Sequence, residues 1–171
     1  MMRVEKLSVA NSFVNNTCNK FEEEFIKVCI DVIDSDPHQD LKLNLSGLLA
    51  IFINHSIDNA TDNHLYLMEQ LKRSDLDKDI RYTFNVCVEQ YERGLDILKS
   101  SLEALLKNDK DDLGLILSDA FDKIVACEDD FESTPEPPSW LAHYLPLRKL
   151  LALSMGTANL IQCKKVAACI P

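Results

Sequence analysis

Glycine is scarce here, with four in 171 residues, and proline is only slightly commoner, at six. A chain so poor in the residues of tight turns is not collagen-like or low-complexity. It contains no Asn-Gly or Asp-Gly pair of the kind that closes hairpins, and no glycine loop that could cradle a phosphate. Positive charge is also short: 18 Lys and Arg stand against 28 Asp and Glu, a formal charge of −10. Nucleic acid is therefore a poor partner, because binding it needs a Lys/Arg footprint. An anionic membrane surface is disfavoured for the same reason. No run reaches the roughly 18–20 apolar residues of a membrane span. The opening stretch, MMRVEKLSVANSFVNNTC, lacks the apolar core of about 7–15 residues that marks a secretory signal. Either the chain is cytosolic or its signal is not part of this sequence.

Catalytic patterns are missing too. There is no Gly-x-Ser-x-Gly, no His-Glu-x-x-His, no Cys-x-x-Cys and no Glu-x-x-His. The four histidines, His38, His55, His64 and His143, are scattered and read as surface residues. Nothing points to a metal or a cofactor. The acidic clusters Glu22–Glu24, Asp109–Asp112 and Glu128–Asp130 read first as solvated faces and helix ends. The last of these falls near a helix C-terminus, where the dipole disfavours it, so it needs a positive neighbour.

What is present is helical periodicity. Apolar residues recur at threes and fours in five segments, which predicts an all-α protein. The first carries Phe21, Phe25, Cys29, Val32 and Ile33 and stops at Asp36-Pro37. The second starts near Asp40, with Leu45, Leu48, Leu49, Phe52 and Ile53 inward. Its polar stretch Asp58–Asn63 marks a kink or break before Tyr66, Leu67 and Leu71. The third runs from Phe84 through Cys87, Tyr91, Leu95 and Leu98 to Leu105, weakened but not stopped by Gly94. A turn at Asn108–Asp112, with Asp109 as cap, leads to a fourth segment from Leu113 to Phe131. The proline-rich Ser133–Ser139 is a linker. The last helix is expected near Pro146, which suits a first-turn position. Tyr91 reads as core, with its hydroxyl reaching a polar edge. Trp140 reads as a lid over one bundle end. Long amphipathic helices joined by short loops predict an up-down bundle.

The six cysteines leave alternatives open. Cys87 and Cys127 lie on apolar stripes, where they serve as small hydrophobes or join the third and fourth helices. Cys18 and Cys29 stand eleven residues apart. In an unbroken helix that spacing rises about 16 Å, beyond the roughly 7 Å between Cα atoms that a disulfide spans. With no helix breaker in Glu22–Glu24, the spacing by itself leans to an unbridged pair. Asn15, Asn44, Asn54 and Asn59 head Asn-x-Ser/Thr acceptor sequences for glycosylation.

Four local patterns occur in order: Thr17-Cys18 with Cys29, then Asp34-Ser35-Asp36-Pro37, Cys87-Val88-Glu89-Gln90-Tyr91, and Cys127-Glu128-Asp129-Asp130-Phe131-Glu132 before the proline-rich linker. Together they resemble the plant invertase and pectin methylesterase inhibitor family over about residues 17–162. The resemblance implies an up-down-up-down four-helix bundle with an N-terminal helical hairpin. It implies disulfides Cys18–Cys29 and Cys87–Cys127, and hence a bend near Glu22–Glu24. It implies secretion to the cell wall, or delivery to the vacuole, and a protein without catalytic activity or cofactor. Such a protein binds one carbohydrate-active enzyme in a one-to-one complex and blocks its cleft. Invertase-directed members present Pro-Lys-Phe in the turn before the fourth helix, where this chain has Lys110-Asp111-Asp112. A carboxylate in place of the aromatic removes an apolar anchor and opposes an acidic glycosidase cleft. Pectin methylesterase is thus the favoured target, with invertase next. A non-inhibitory interaction bundle of the same fold is the alternative.

On this reading residues 1–16 are a disordered tail, 17–162 the bundle domain, and 163–171 a C-terminal tail holding Cys163 and Cys169, to which the resemblance gives no role. The expected contact segment is Asn108, Asp109, Lys110, Asp111 and Asp112. Lys72, Arg73, Glu89 and Arg93 are looser candidates.

Overall fold

The computed structural model describes residues 2–109, 111–131 and 140–165, with side chains described from Ala10 onward and, in the last helix, over 142–162. These residues form α1 (Met2–Cys18), α2 (Glu23–Ser35), a 3-10 turn (Leu41–Leu43), α3 (Leu45–Leu71), α4 (Lys78–Leu106), α5 (Leu113–Asp130) and α6 (Trp140–Lys165). Among the described residues there is no strand. Helices α3, α4, α5 and α6 pack each on the next, and α6 closes back on α3. The apolar stripes meet inside. Leu49, Ile53 and Leu67 face Phe84, Tyr91 and Leu98, with Leu117, Ile124, Leu147 and Leu151 completing the core.

The short arm made of α1 and α2 builds a second, smaller core. Val14, Cys18, Cys29 and Ile33 pack on Leu48, Ile51 and Phe52 of α3 and Leu153 of α6. The arm bends just before the acidic triplet. Backbone bonds from Lys20 to Thr17 and from Phe21 to Cys18 tighten the turn. Glu22 is the extended N-cap of α2, and Glu23 and Glu24 fill its first turn, where the helix dipole favours carboxylates. The triplet therefore starts a helix and need not break one. That brings Cys18 and Cys29 to a Cα separation of 5.7 Å, and they are bridged. Cys87 of α4 and Cys127 of α5 are bridged as well, with Cα atoms 4.7 Å apart. The arm seats where α6 has no side chain. A Cβ on Gly156 would stand 2.5 Å from Cε1 of Phe21. Gly94 has a similar purpose in α4, since a Cβ there would meet Ile124 at 2.8 Å beside the α4–α5 bridge.

Several expectations change. Where a disordered tail is expected over 1–16, the chain is helical from Met2, with Ala10 and Val14 buried in the arm. Pairing with α2 supplies the apolar partner that α1 lacks alone. The last helix crosses the expected boundary at residue 163 and runs to Lys165. Helix α3 passes through Asp58–Asn63 without a break. Its polar side chains are satisfied there: Asn59 donates to the His55 carbonyl at 3.1 Å, and Thr61 to that of Ile57 at 2.7 Å. Helix α6 begins at Trp140, so Pro146 lies inside it. A proline there cannot donate to the Ala142 carbonyl. In the same turn the His143 carbonyl accepts from the Asn63 side chain at 3.0 Å, which ties this part of α6 to α3. The linker Ser133–Ser139, the side chains of Trp140 and Cys163, and Cys169 lie outside the described residues.

Candidate functional site

The α4–α5 turn is built by its ends. Asn108 has φ 60°, and it is followed by a bond from the Asp109 amide to the Ala104 carbonyl. With the bond from the Asn108 amide to Leu105 at 3.0 Å, this is a Schellman closure of α4, for which Asn is an accepted left-handed residue. Asp112, not Asp109, is the N-cap of α5; it sits at φ 59° and its side chain makes no capping bond. Asn108 and Asp112 are the two non-glycine residues with positive φ among those described. Asp109, Asp111 and Asp112 are exposed, and Asp111 and Asp112 stand at the positive end of α5, where the dipole favours carboxylates. Lys110 lies outside the described residues. Two large apolar side chains flank the turn: Leu106 is 72% exposed and Leu115 71%. Leu115 also edges a groove between α4 and α5, lined by Asp96, Ile97, Ser100, Ile116 and Asp119. The described residues of the turn thus present carboxylates between two apolar shoulders.

The looser candidates are not gathered there. Lys72 and Arg73 lie past the C-terminus of α3, at the other end of the bundle, held by Glu69 at 2.6 Å and Asp75 at 2.8 Å. The Asp75 guanidinium partner holds that carboxyl below its usual range, and Arg73 is raised in turn. Glu89 and Arg93 are midway along α4 and face each other at 3.9 Å. From Arg93 to Asn108 the helix rises about 22 Å. One docking surface of ordinary size can reach the turn and the middle of α4, but not Lys72 as well.

The positive neighbour that Glu128 needs is Arg148 of α6, at 3.6 Å. The acceptor asparagines are spread along the N-terminal half. Asn15 is exposed on α1 and Asn54 on α3. Asn44 caps α3, its Oδ1 accepting from the Gly47 amide at 2.9 Å, while the nitrogen of the half-buried Asn59 is engaged with His55.

Two polar clusters escaped the sequence reading. Asn63 donates to Tyr91 Oη at 3.3 Å as well as to His143. Burial pushes the Tyr91 phenol far above its usual value. The signal was a lone Asn on an apolar stripe, between Ala60 and Leu67. The second cluster surrounds Asp36, whose Oδ1 accepts from the His38 amide at 2.8 Å and faces His38 Nδ1 at 3.0 Å; His55 Nε2 lies 3.6 Å from Oδ2. Asp36 thereby ties the end of α2 to α3, which is why Asp-Pro at this position does more than stop a helix. Among the described residues no group of three or more His, Cys, Asp or Glu could hold a metal ion. No described helix is long and apolar enough to cross a membrane.

Comparison with known proteins matches this architecture. Two crystal structures of pectin methylesterase inhibitors from Arabidopsis share the fold. A mutant form A superposes with a TM-score of 0.71 at 19% identity, over 84% of this chain and 93% of that one. The other gives 0.64 at 19% identity, over 87% and 95%. A pectinesterase inhibitor from Actinidia deliciosa is 26% identical over 156 residues, 91% of this chain and 82% of that protein. The model of the plant invertase/pectin methylesterase inhibitor family matches residues 12–157, from the middle of α1 into α6. This chain therefore belongs to the plant invertase/pectin methylesterase inhibitor family, a family of inhibitor proteins and not of enzymes.

Proposed function

We propose that the chain inhibits a pectin methylesterase in the plant cell wall by lying across its active-site cleft in a one-to-one complex. The observation that carries this is the family match over residues 12–157, joined to the likeness to the Actinidia inhibitor along nearly the whole chain. The physical means is a bundle held by two disulfides. Little order is left to lose on binding, so more of the contact energy appears as affinity. A charge of −10 steers the protein toward a basic rim, with association that slows as salt rises. Asp111 and Asp112 at the turn would meet that rim, and Leu106 and Leu115 beside them supply the apolar part of the contact. An invertase with an acidic cleft is the poorer fit.

The experiment is inhibition of a purified pectin methylesterase and of an acid invertase by the oxidised protein, with and without Asp111→Lys and Asp112→Lys together. Inhibition of the esterase, weakened about tenfold by the charge reversal, is expected. Inhibition of invertase alone would reassign the target. Inhibition of neither would leave a non-inhibitory bundle of this fold. Equal potency of the reversed variant would move the contact from the turn to the helix faces. Fractionation of the tissue of origin separates cell wall from vacuole.

A further inference from the structure

A cavity of about 430 Å³ opens where α2 lies against the bundle. It is lined by Glu24 and Phe25 of α2, Phe121 of α5, and Leu145, Arg148 and Lys149 of α6. Its size falls within the usual range of small-molecule sites. In a chain of net charge −10 it concentrates two cations. Lys149 is half-buried, and among the described residues no carboxylate lies within ion-pair distance of it. Arg148 is only loosely engaged: its contact with Glu128 is 3.6 Å, beyond a direct hydrogen bond, so most of its donors remain available.

We infer that this cavity binds an acidic sugar, a uronate residue of an oligosaccharide. Phe25, Phe121 and Leu145 form an apolar wall for the C–H face of a pyranose ring. The Arg148 guanidinium matches a carboxylate with its planar fork, and Lys149 adds a point charge beside it. Glu24 accepts from ring hydroxyls. A neutral sugar would leave Lys149 uncompensated, a fatty acid would press its chain against the Glu24 carboxylate, and an inorganic anion would leave the aromatic wall unused. The chain's overall negative charge opposes the ligand only from a distance, because salt screens beyond about 8 Å. The site shares no residue with the turn at 108–112, so sugar binding and enzyme inhibition stand or fall separately.

The test is calorimetric and NMR titration of the full oxidised chain with trigalacturonic acid, its methyl-esterified form and galactotriose. The acid should saturate with a Kd on the order of 1 mM, with shifts centred on Phe25 and Phe121, and the two uncharged trimers should bind at least about tenfold more weakly. Lys149→Gln and, separately, Arg148→Gln should each weaken the acid about tenfold, the first with the melting temperature unchanged and the second with no more than the small fall that loss of a half-exposed pair with Glu128 brings. No saturation by the acid up to about 20 mM, equal binding of the three trimers, or normal binding by both folded variants would overturn the inference. So would decanoate binding more tightly than the acid trimer, which would make the cavity a site for apolar carboxylates.

Discussion

Removing the α4–α5 bridge should cost more than removing the arm bridge, and the loop lengths say by how much. Cys87 and Cys127 are 40 residues apart in sequence, Cys18 and Cys29 only 11. Loop-closure entropy in the unfolded chain then gives about 3.9 kcal/mol for the first and about 2.8 kcal/mol for the second. For a domain of this length the entropy of unfolding near the midpoint is about 0.36 kcal/mol per degree, so the losses become about 11 °C and 8 °C. All four cysteines are fully buried, so alanine leaves voids at either bridge. One difference widens the gap: the α4–α5 bridge lies in the main core. The arm bridge instead closes a small satellite core, and part of its loss appears as local opening of α1 and α2. The assay is calorimetry of Cys87→Ala/Cys127→Ala and Cys18→Ala/Cys29→Ala double variants, with amide exchange to locate the opening. A larger fall in melting temperature for the arm variant would refute the reasoning. So would a shift below about 3 °C for the α4–α5 variant.

Other consequences follow from single contacts. Asn63→Leu strips a donor from Tyr91 and from the His143 carbonyl and should cost about 1–3 kcal/mol in urea unfolding; a loss under about 0.5 kcal/mol would mean water replaces the amide. Gly156→Ala forces Phe21 out of its seat, so amide exchange should speed in α1 and α2 while α3–α6 stay protected; uniform protection would show that the arm does not rest on this contact. Burial raises the phenols of Tyr91 and Tyr144. The folded state therefore holds those protons more tightly than the unfolded one, and the stability they confer is whole below about pH 10 and is lost as pH rises above it. Phenolate absorbance from both should appear only together with loss of helical signal. Ionisation of all four tyrosines in a folded chain would contradict their burial.

The helices were legible because burial on one side leaves a 3.6-residue mark in the sequence, as in Phe84–Leu105 and Leu113–Phe131. Ends were harder. Pro146 reads as a helix start because a proline removes one donor, yet the helix runs through it where Asn63 offers a donor to the neighbouring carbonyl. The polar run Asp58–Asn63 reads as a break for the opposite reason: its side chains look as though they compete with the backbone, whereas they bond to carbonyls one turn back or reach across the core. At the turn, the cluster Asn108–Asp112 was visible as an acidic loop, but which residue would adopt left-handed backbone and which would cap α5 was not.

By itself the sequence determined an acidic, all-α bundle of amphipathic helices without the residue pairs that metal or nucleophile chemistry needs, since charge, periodicity and motif spacing are all written along the chain. The tertiary structure decided what depends on residues far apart in sequence. It folded α1 against α2, so that two cysteines eleven residues apart could meet. It set Glu128 beside Arg148, and it brought Arg148 and Lys149 to the same cavity as Phe25 and Phe121. Such juxtapositions arise from packing between elements, and no local pattern encodes which faces will meet.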